Sequence, residues 1–426
     1  MSGQPLARTY YVASATPAPA RPELTGTQRC DVCVVGGGIA GTSTALHLAE
    51  RGLDVILVEA QQIGWGASGR SGAQVLPGVA ASQERLARLV GAADARKVWD
   101  VSVEGVQLVR DLIARHGIDG QFVAGHMLTA VKPRHDTELR AHAEELQQRY
   151  GYTGVRYLPQ EEVRSVIASD RYRGALYDPH AGHIHPLNYT LGLAAAAERR
   201  GVRIFEGTRA LDFSGHGPLR VRTPQGEVLC RQLVLCGNVY LGTTAPQLRS
   251  RIMAVGTCIV ASEPLGAARA QSLITNNAAV ADMNWVLDYF RRSQDHRLLF
   301  GGRVTYAGFD PDRIAAATRA RMTLVFPQLR DVTVEFAWGG HVDITRNRAP
   351  DFGRLSPDVY YLQGFSGHGI ALAGMAGKLA SEAIAGDAGR FDVFARIPHG
   401  AFPGGQWLRR PALVLAMMYY RIKDLI

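Results

Sequence analysis

Three glycines near the amino terminus have the spacing with which a polypeptide backbone can hold a diphosphate. Gly36, Gly38 and Gly41 follow the strand-like run 31–35 and open an Ala-rich helical segment that closes at Gly52. Gly36 suits a tight turn, Gly38 lets the backbone approach a pyrophosphate, and Gly41 permits close packing of helix on strand. Because a helix amino terminus presents free N–H groups and positive partial charge, this order predicts a phosphate-binding turn.

An acidic residue at the end of the next apolar run could bind a ribose. Glu59 directly follows the run 55–58. An acidic side chain roughly 20 residues after the glycines accepts hydrogen bonds from ribose hydroxyls in dinucleotide-binding folds. A glycine turn alone is as often a plain surface turn, but strand, turn, helix, second strand and terminal Glu together predict a dinucleotide site over 30–60.

The Gly/Ser-rich stretch after Glu59 carries a family resemblance. From Ile63 to Gln74 the chain reads IGWGASGRSGAQ. This resembles the loop that runs beside the flavin in the D-amino-acid-oxidase-like family of FAD-dependent amine oxidoreductases. It looks most like the γ-glutamylputrescine oxidoreductase branch, whose loop commonly reads GxGASGRNGGQ. The chain differs at Ser71 and Ala73, which bears on the substrate and leaves the FAD interpretation intact.

A second glycine-rich turn near the carboxyl terminus is similar to those of sarcosine-oxidase-type and γ-glutamylputrescine-oxidase-type enzymes. The segment GFSGHG, Gly364 to Gly369, follows the strand-like run 359–363 and leads into an Ala/Gly/Leu-rich helix. The resemblance covers nearly the whole chain. It implies an α/β plus α+β fold, in which a Rossmann-type FAD-binding domain is interleaved with an antiparallel-sheet substrate domain, as in D-amino-acid and sarcosine oxidases.

The resemblance also implies which positions contact FAD. Sarcosine oxidases attach flavin through a cysteine somewhat before the final turn, and this chain has no cysteine after Cys258. We therefore expect FAD to be held without a covalent bond. The expected FAD-binding residues are Gly36, Gly38, Ile39, Ala40, Gly41, Glu59, Ala60, Ala67, Ser68, Gly69, Arg70, Gln74, Ala210, Cys236, Gly237, Gly364, Gly367, His368, Gly369 and Ile370.

Four of the chain's basic side chains are candidates for catalytic contacts. The segment 174–186 is the richest in histidine, and relatives carry a similar G-H-x-H-P stretch, which implies that at least one of His183 and His185 lines the substrate cavity. A metal cluster is the alternative, but no carboxylate or cysteine stands at ligand spacing, so we predict no metal. His368 is a candidate contact to flavin or substrate, with a backbone-satisfying turn histidine as the alternative. Arg70 could stabilise negative charge on reduced flavin.

Residues that the chain lacks narrow the substrate. Sarcosine-oxidase relatives bind the substrate carboxylate with a Lys two residues after the HG pair, where this chain has Ala371. D-amino-acid and glycine oxidases place an Arg in the turn, where this chain has Ser366 and His368. We therefore expect an amine without an adjacent carboxylate, such as a polyamine derivative, oxidised by hydride transfer to flavin with oxygen or a quinone as electron acceptor. The imine would hydrolyse to an aldehyde.

Two other functions stay open at this point. An amino-acid or N-methyl-amino-acid dehydrogenase could anchor its substrate carboxylate at Arg346 or Arg348. A flavoprotein could instead bind FAD as an electron-transfer or structural subunit without amine turnover. The intact His-rich segment and second turn argue against that reading.

The elements that must position these residues divide the chain into eight expected segments. A single domain of 426 residues would be unusually long, so at least two interleaved cores are expected. In order, the segments are an extended, loosely ordered arm (1–29), the first part of the FAD-binding domain (30–80), a mainly helical segment (81–150), a substrate-domain segment (151–186), the second FAD-binding part (187–242), the antiparallel sheet of the substrate domain (243–350), the third FAD-binding part (351–390) and an apolar, basic tail (391–426).

Charge and cysteine usage indicate compartment and partners. The net charge is +9, but the 47 basic residues are scattered among 38 acidic ones without a basic block, so we expect no nucleic-acid partner. The arm lacks an export signal, which predicts a cytoplasmic protein. The five cysteines fit reduced, buried thiols. The tail from Phe402 is too short in apolar residues to span a bilayer, and would cover a protein surface, a partner subunit or a membrane interface.

Overall fold

The structure is a computed structural model that describes residues 8–305 and 309–403. The predicted tail contact falls on 404–426, outside the described residues. In chain order the strands are β1 Gly26–Val35, β2 Val55–Val58, β3 Gln74–Val75, β4 Val123–Ala130, β5 Arg156–Pro159, β6 Gly174–His183, β7 Arg203–Phe205, β8 Asp212–Ser214, β9 Leu219–Arg222, β10 Gly226–Leu235, β11 Ile252–Ser262, β12 Ala279–Asp282, β13 Tyr289–Arg292, β14 Leu298–Thr305, β15 Val334–Thr345, β16 Asp351–Ser356 and β17 Val359–Gln363.

Helices connect and cover these strands. In chain order they are α1 Tyr10–Ala13, α2 Ile39–Ala49, α3 Gln83–Val90, α4 Ala92–His116, α5 Pro133–Gln148, α6 Gln160–Val166, α7 Pro186–Arg199, α8 Pro246–Arg249, α9 Ala267–Leu273, α10 Pro311–Val325, α11 Gly369–Ile384 and α12 Gly389–Ala395. Short 3-10 turns occupy Ala67–Gly69, Asn238–Tyr240 and Pro327–Leu329.

The first sheet has a mostly parallel centre. Its order is β16-β17-β10-β1-β2-β7, with β9 and β8 added beside β10. The parallel strands β1, β2, β10 and β17 contain short apolar runs that are buried, as is usual where helices cover a sheet. In β1 and β10 this buried run is the carboxyl-terminal part of the strand. Helices α2 and α11 pack closely together: the Ser43 hydroxyl of α2 donates to the Gly374 carbonyl of α11 at 2.7 Å.

The second sheet packs against the first domain. Its order is β15-β11-β14-β13-β12-β4-β6-β3, with β5 beside β6. All of its pairs are antiparallel except β12 with β4. Both parts of the predicted architecture are therefore confirmed. The sheet extends beyond the predicted substrate-domain segments 151–186 and 243–350, because β3 and β4 come from earlier parts of the chain.

The arm is more ordered than its composition indicated. The expectation that it is loosely ordered is wrong for residues 8–29, because Tyr10 and Tyr11 of α1 are 4% and 0% exposed and β1 begins at Gly26. A Pro/Ala/Thr-rich stretch has no periodicity that would reveal this, since two aromatic rings supply the burial. Among the described residues, no helix combines the length and apolar character that crossing a bilayer demands.

Candidate functional site

Three predicted cofactor segments meet at one edge of the first sheet. Strands β1, β10 and β17 run parallel, with Val35 opposite Leu235 and Leu235 opposite Tyr361. Their carboxyl ends therefore bring the turns at Gly36, Gly237 and Gly364 to the same edge, where open α/β sheets bind ligands. The Cys236 N–H donates to the Val35 carbonyl at 2.7 Å and fixes the first two turns together.

The first turn needs its glycines. Gly36 has a φ of +111°, and a Cβ there would lie 2.8 Å from the Cys236 carbonyl carbon. A Cβ at Gly41 would come within 1.9 Å of the Gly36 oxygen. Gly38 precedes α2, whose first turn carries Ile39, Ala40 and Gly41. The turn thus places the amino terminus of a helix, with its positive partial charge, at the sheet edge.

Glu59 braces this turn. One carboxylate oxygen accepts the Gly37 N–H at 2.6 Å and the other accepts the Gln61 N–H at 2.8 Å. Burial raises the pKa of Glu59, and these two N–H groups oppose the shift. Each carboxylate oxygen has a second lone pair, so the side chain can still accept from ribose hydroxyls. The Thr208 N–H donates to the Glu59 carbonyl at 2.7 Å, which brings the segment containing Ala210 beside Glu59 and Ala60.

The loop 63–74 crosses the start of α2. The Ser68 hydroxyl, in the turn Ala67–Gly69, accepts the Ile39 N–H at 2.9 Å. The Arg70 carbonyl accepts the Trp338 indole N–H at 3.0 Å. Gln74 is occupied by the second sheet, since its amide donates to the Val280 carbonyl at 3.0 Å.

The backbone carbonyl of Arg70 is fixed by a hydrogen bond, whereas part of its side chain has no hydrogen-bond partner in the described structure. Its guanidinium lies over the Trp65 ring, 4.5 Å from the centroid. Its Nε is buried without a partner among the described residues, and burial lowers its pKa. Buried polar atoms in native proteins nearly always have partners, so this guanidinium is suited to a ligand.

Asp343 braces the second turn. Its carboxylate, 4% exposed, accepts the backbone N–H groups of Gly364 and Phe365, the latter at 3.0 Å. Burial raises the pKa of Asp343 to about 6, against the effect of these donors. The Ser366 N–H donates to the Asp343 carbonyl at 2.9 Å. These bonds hold Ser366 at a φ of +52°, a conformation that costs a non-glycine residue energy and recurs at functional sites.

The predicted residues of this second turn stand at the start of α11. Gly364 and Gly367 lie in the turn, His368 precedes the helix, and Gly369 and Ile370 are its first residues. Sequence reasoning missed Asp343. Its one signal is an acidic residue inside an otherwise mostly apolar strand that ends beside the turn.

The ring nitrogens of His183 and His185 form hydrogen bonds within the protein. The His185 Nδ1 accepts the Asn188 N–H at 3.1 Å and caps α7, which leaves Nε2 to donate to the Ser14 hydroxyl at 3.1 Å. The His183 Nε2 donates to the Asn277 carbonyl at 3.0 Å. Burial is the main cause that lowers the pKa of His183 to about 3 and of His185 to about 4. Their predicted substrate contact stays a prediction, and we do not assign them a chemical role.

His126 and His368 are instead uncommitted. The His126 Nε2 and the His368 Nδ1 are buried without partners among the described residues. Burial lowers the pKa of His126 to about 3, and the nearby His368 adds to the shift. Burial and the charge of Arg348 lower the pKa of His368 to about 4. Both rings are therefore neutral at pH 7. The sequence alone indicated no chemical role for the segment that contains His126, because strand pairing is what places this residue near His368.

Arg291 is a second residue that the sequence did not reveal. It is 5% exposed, forms no ion pair with a carboxylate in the described part of the chain, and keeps its Nε buried without a partner. Its other nitrogens donate to the Arg292 carbonyl at 3.1 Å, the Tyr11 hydroxyl at 3.2 Å and the His183 Nδ1 at 3.5 Å. A buried charge without a counter-ion is costly, so this arrangement favours an anionic ligand.

The two arginines proposed as carboxylate anchors separate in space. Arg346 is exposed and donates to the Ala401 carbonyl at 3.2 Å. Arg348 lies close enough to His368 to lower the pKa of that imidazole. Only Arg348 of this pair therefore belongs to the neighbourhood of the second turn.

The described residues contain neither a candidate metal cluster nor a disulfide. Within residues 8–305 and 309–403, no group of three His, Cys, Asp or Glu side chains is placed to hold a metal ion. The five cysteines, all of them described, form no disulfide. Cys258 packs into the hydrophobic cluster that contains Phe290 and Phe326.

Comparison with known proteins gives consistent matches. Residues 31–383 match the family model described as "DAO: FAD dependent oxidoreductase". The chain is 40% identical to the γ-glutamylputrescine oxidoreductase of Escherichia coli over 98% of each chain. It is 36% identical to the probable oxidoreductase OrdL of Haemophilus influenzae, over 98% of this chain and 97% of that one. In fold it is similar to a glycine oxidase from Bacillus cereus, with a TM-score of 0.69, 24% identity and coverage of 88% and 99%.

Proposed function

Because the chain belongs to the DAO family of FAD-dependent oxidoreductases, we propose that it oxidises the C–N bond of a polyamine derivative such as γ-glutamylputrescine. The product would be an imine, which hydrolyses to an aldehyde. The chain is an FAD-dependent oxidoreductase that acts on C–N bonds, and the proposal concerns its substrate and the residues that bind it. The observation that carries it is a set of buried side-chain nitrogen atoms that have no partner in the described structure: the Nε2 of His126, the Nδ1 of His368 and the Nε atoms of Arg70 and Arg291.

The residues present fit FAD. The first turn and the start of α2 would hold the diphosphate, Glu59 the ribose, and Arg70 with the second turn the polar end of the flavin. Bound FAD supplies the acceptor for the hydride that leaves the amine carbon. The partnerless Nε of Arg70 and the turn that needs Gly36 and Gly41 are what such a ligand requires.

His126 and His368 would orient the amine. Hydride departs from a neutral amine, whose lone pair stabilises the carbon left behind. A neutral imidazole nitrogen can accept a hydrogen bond from that amine. Arg70 and Arg348 add positive charge, which lowers the pKa of a bound amine and favours its neutral form. The carboxylates of Glu59 and Asp343 are committed to backbone N–H groups, so they compete little for the amine.

Arg291 would bind the far end of the substrate. The glutamyl part of γ-glutamylputrescine carries a carboxylate remote from the amine that is oxidised. A guanidinium binds a carboxylate with two parallel hydrogen bonds, and Arg291 has a buried Nε to offer. The same observation favours the second candidate, an amino-acid or N-methyl-amino-acid dehydrogenase with Arg291 or Arg348 on the carboxylate.

Anaerobic mixing of the purified, FAD-loaded protein with a panel of amines tests the proposal. The panel contains γ-glutamylputrescine, putrescine, sarcosine, glycine and proline, and the readout is loss of the flavin absorbance near 450 nm. We expect γ-glutamylputrescine to reduce the flavin fastest. Reduction by the amino acids alone would support the second candidate. Reduction by none of them, while dithionite still bleaches the flavin, would leave an electron-transfer or structural role. Reoxidation by oxygen or by a quinone then identifies the acceptor.

A further inference from the structure

The ordered part of the arm, residues 9–24, forms a strap along the first domain. Its early residues contact α7 and strands β13 and β15 of the second sheet. Its later residues bond to Glu206 and Thr208, which follow β7. Thr16 marks the middle, where its N–H donates to the Asn188 side chain in α7 at 2.9 Å. The strap thus runs beside α7 from one end to the other of the segment 59–74, which contains Glu59 and the loop 63–74.

The later end of the strap holds the beginning of this loop. The Arg21 guanidinium, with its side chain 3% exposed, pairs with Glu198 at 2.7 Å and Glu206 at 3.2 Å. The same Glu206 oxygen accepts the Ile63 N–H at 2.8 Å. The Glu206 N–H in turn donates to the Pro22 carbonyl at 3.1 Å. Arg21 therefore orients the carboxylate on which the loop backbone at Ile63 depends.

The early end of the strap holds the later part of the loop. The Tyr11 hydroxyl donates to the Ser71 carbonyl at 2.9 Å and accepts from Arg291 at 3.2 Å. The Tyr11 ring packs edge-on against Trp338, with centroids 5.5 Å apart. Trp338 binds the preceding carbonyl, that of Arg70, at 3.0 Å. Two consecutive carbonyls are thus fixed by one side chain from the strap and one from the second sheet.

We propose that the strap is a positioning element for FAD, in which Tyr11 and Arg21 hold the loop 59–74 in the conformation that binds the cofactor. This inference rests on FAD dependence and is independent of the substrate. Without the Tyr11 hydroxyl, the Ser71 carbonyl loses its donor and the Arg291 guanidinium loses an acceptor in a buried place. The loop then has fewer bonds that select its binding conformation, and FAD must supply the ordering free energy on binding.

Matched Tyr→Phe variants test the role of the strap. Tyr11→Phe removes the hydroxyl that bonds to the loop. Tyr10→Phe removes the neighbouring hydroxyl, which donates to Asp295 at 2.8 Å and forms no hydrogen bond with the loop in the described structure. The dissociation constant for FAD, followed by flavin fluorescence on titrating the apoprotein, should rise about tenfold for Tyr11→Phe and less than twofold for Tyr10→Phe. The melting temperature of each apoprotein reports general damage. Equal rises in the two dissociation constants would overturn the proposal.

Hydrogen exchange on the unmodified protein gives a second measurement, which does not depend on a variant folding. If the strap strengthens FAD binding, then FAD must strengthen the strap by the same free energy. The amides of residues 12–14, whose N–H groups bond to Thr9 and Tyr10, should exchange more slowly with FAD than without it. Helix α5 serves as the reference and should be unchanged. Equal exchange in the strap with and without FAD would show that it only covers the protein.

Discussion

His126 shows what a single side chain can contribute from an unexpected place in the chain. It stands on β4, before most of the second sheet, and reaches the site only because β4 pairs with β12 opposite Ala279. Its neutral ring has a buried Nε2 without a partner in the described structure. The physical signs of a ligand contact are therefore present where no sequence motif exists.

Replacing His126 by Asn should separate substrate binding from cofactor binding. We expect kcat/KM for the amine to fall by about 10- to 100-fold, as for loss of one buried hydrogen bond to a reacting group, with the FAD dissociation constant unchanged. Steady-state kinetics and FAD titration measure the two quantities. His180→Asn, at an exposed histidine in the same sheet, is the control. A comparable loss of FAD affinity in His126→Asn would contradict this role.

Arg291 permits a test of which chemical group lies at the far end of the substrate. Arg291→Gln should raise KM for an amine that bears a remote carboxylate by about 10- to 100-fold, because a charge-assisted pair is lost. KM for plain putrescine should stay within a factor of two. Arg292→Gln is the matched control, since its side chain bonds to Asn277 at 3.0 Å instead of reaching Tyr11. Equal changes for both amines would remove Arg291 from substrate recognition.

At this scale the sequence predicted the residues whose role is local. Gly36, Gly41 and Glu59 are recognisable because strand, turn and acid follow one another directly in the chain. Asp343, Arg291 and His126 depend on pairings between strands that are far apart in sequence. No local pattern distinguishes them from ordinary sheet residues.

The glycine turns illustrate how one carboxylate controls an element. Glu59 accepts the Gly37 N–H in the first turn, and Asp343 accepts two N–H groups in the second. In each case a neighbouring strand supplies the acid, and the turn itself supplies only backbone. The amino termini of α2 and α11 are thus held in a fixed direction.

Asp343 should make the second turn sensitive to pH. Its folded pKa of about 6 lies above the ordinary value of 3.8, so the carboxylate takes up a proton as the pH falls through 6 and can then accept fewer hydrogen bonds. We expect turnover at saturating amine to fall below pH 6. Asp343→Asn should turn over slowly at all pH values and lack that step. If the step persists in the variant, another group causes it. The measurement is kcat between pH 5 and 8.

Helices and strands with strong local signals were predictable, and the strap was not. The helix 311–325 and the strand–turn–helix units at both ends follow from apolar periodicity and glycines. The strap has neither, because Tyr11 and Arg21 are isolated residues in a Pro-rich stretch and gain their order from Ser71, Glu198 and Glu206.

At the scale of the whole molecule, buried histidines make the stability of the fold depend on pH. Burial lowers the pKa of His47 and His185 to about 4 and of His126 and His183 to about 3. The unfolded chain, with histidine near 6.5, therefore binds more protons than the folded one below that pH. The stability that these four groups contribute is complete above pH 6.5 and is lost as the pH falls towards 4.

We accordingly expect the melting temperature of the apoprotein to fall steadily between pH 7 and pH 5. Each pKa unit corresponds to about 1.4 kcal/mol, so the loss is on the order of several kcal/mol. Asp282 and Asp343, with raised pKa values of about 7 and about 6, act in the opposite direction and reduce the effect. Calorimetry over this range checks the sign. A melting temperature that rises on acidification would mean that the buried carboxylates dominate.

The two interleaved domains could be predicted from the sequence. The strand pairing that joins distant parts of the chain could not. The family resemblance indicated both domains, and apolar runs indicated most strands. The parallel pairing of β12 with β4 joins chain that is separated by several other elements. Such a join has no sequence signal, since it needs only two compatible apolar strands.

The bracing of both turns by carboxylates has a kinetic meaning. Glu59 and Asp343 accept backbone N–H groups of the protein itself, so the cradle holds its shape before any prosthetic group arrives. Uptake of the flavin nucleotide by stripped protein should then be a simple bimolecular encounter, without a slow rearrangement afterwards. Protein that has lost its flavin nucleotide can therefore bind another and regain activity without delay.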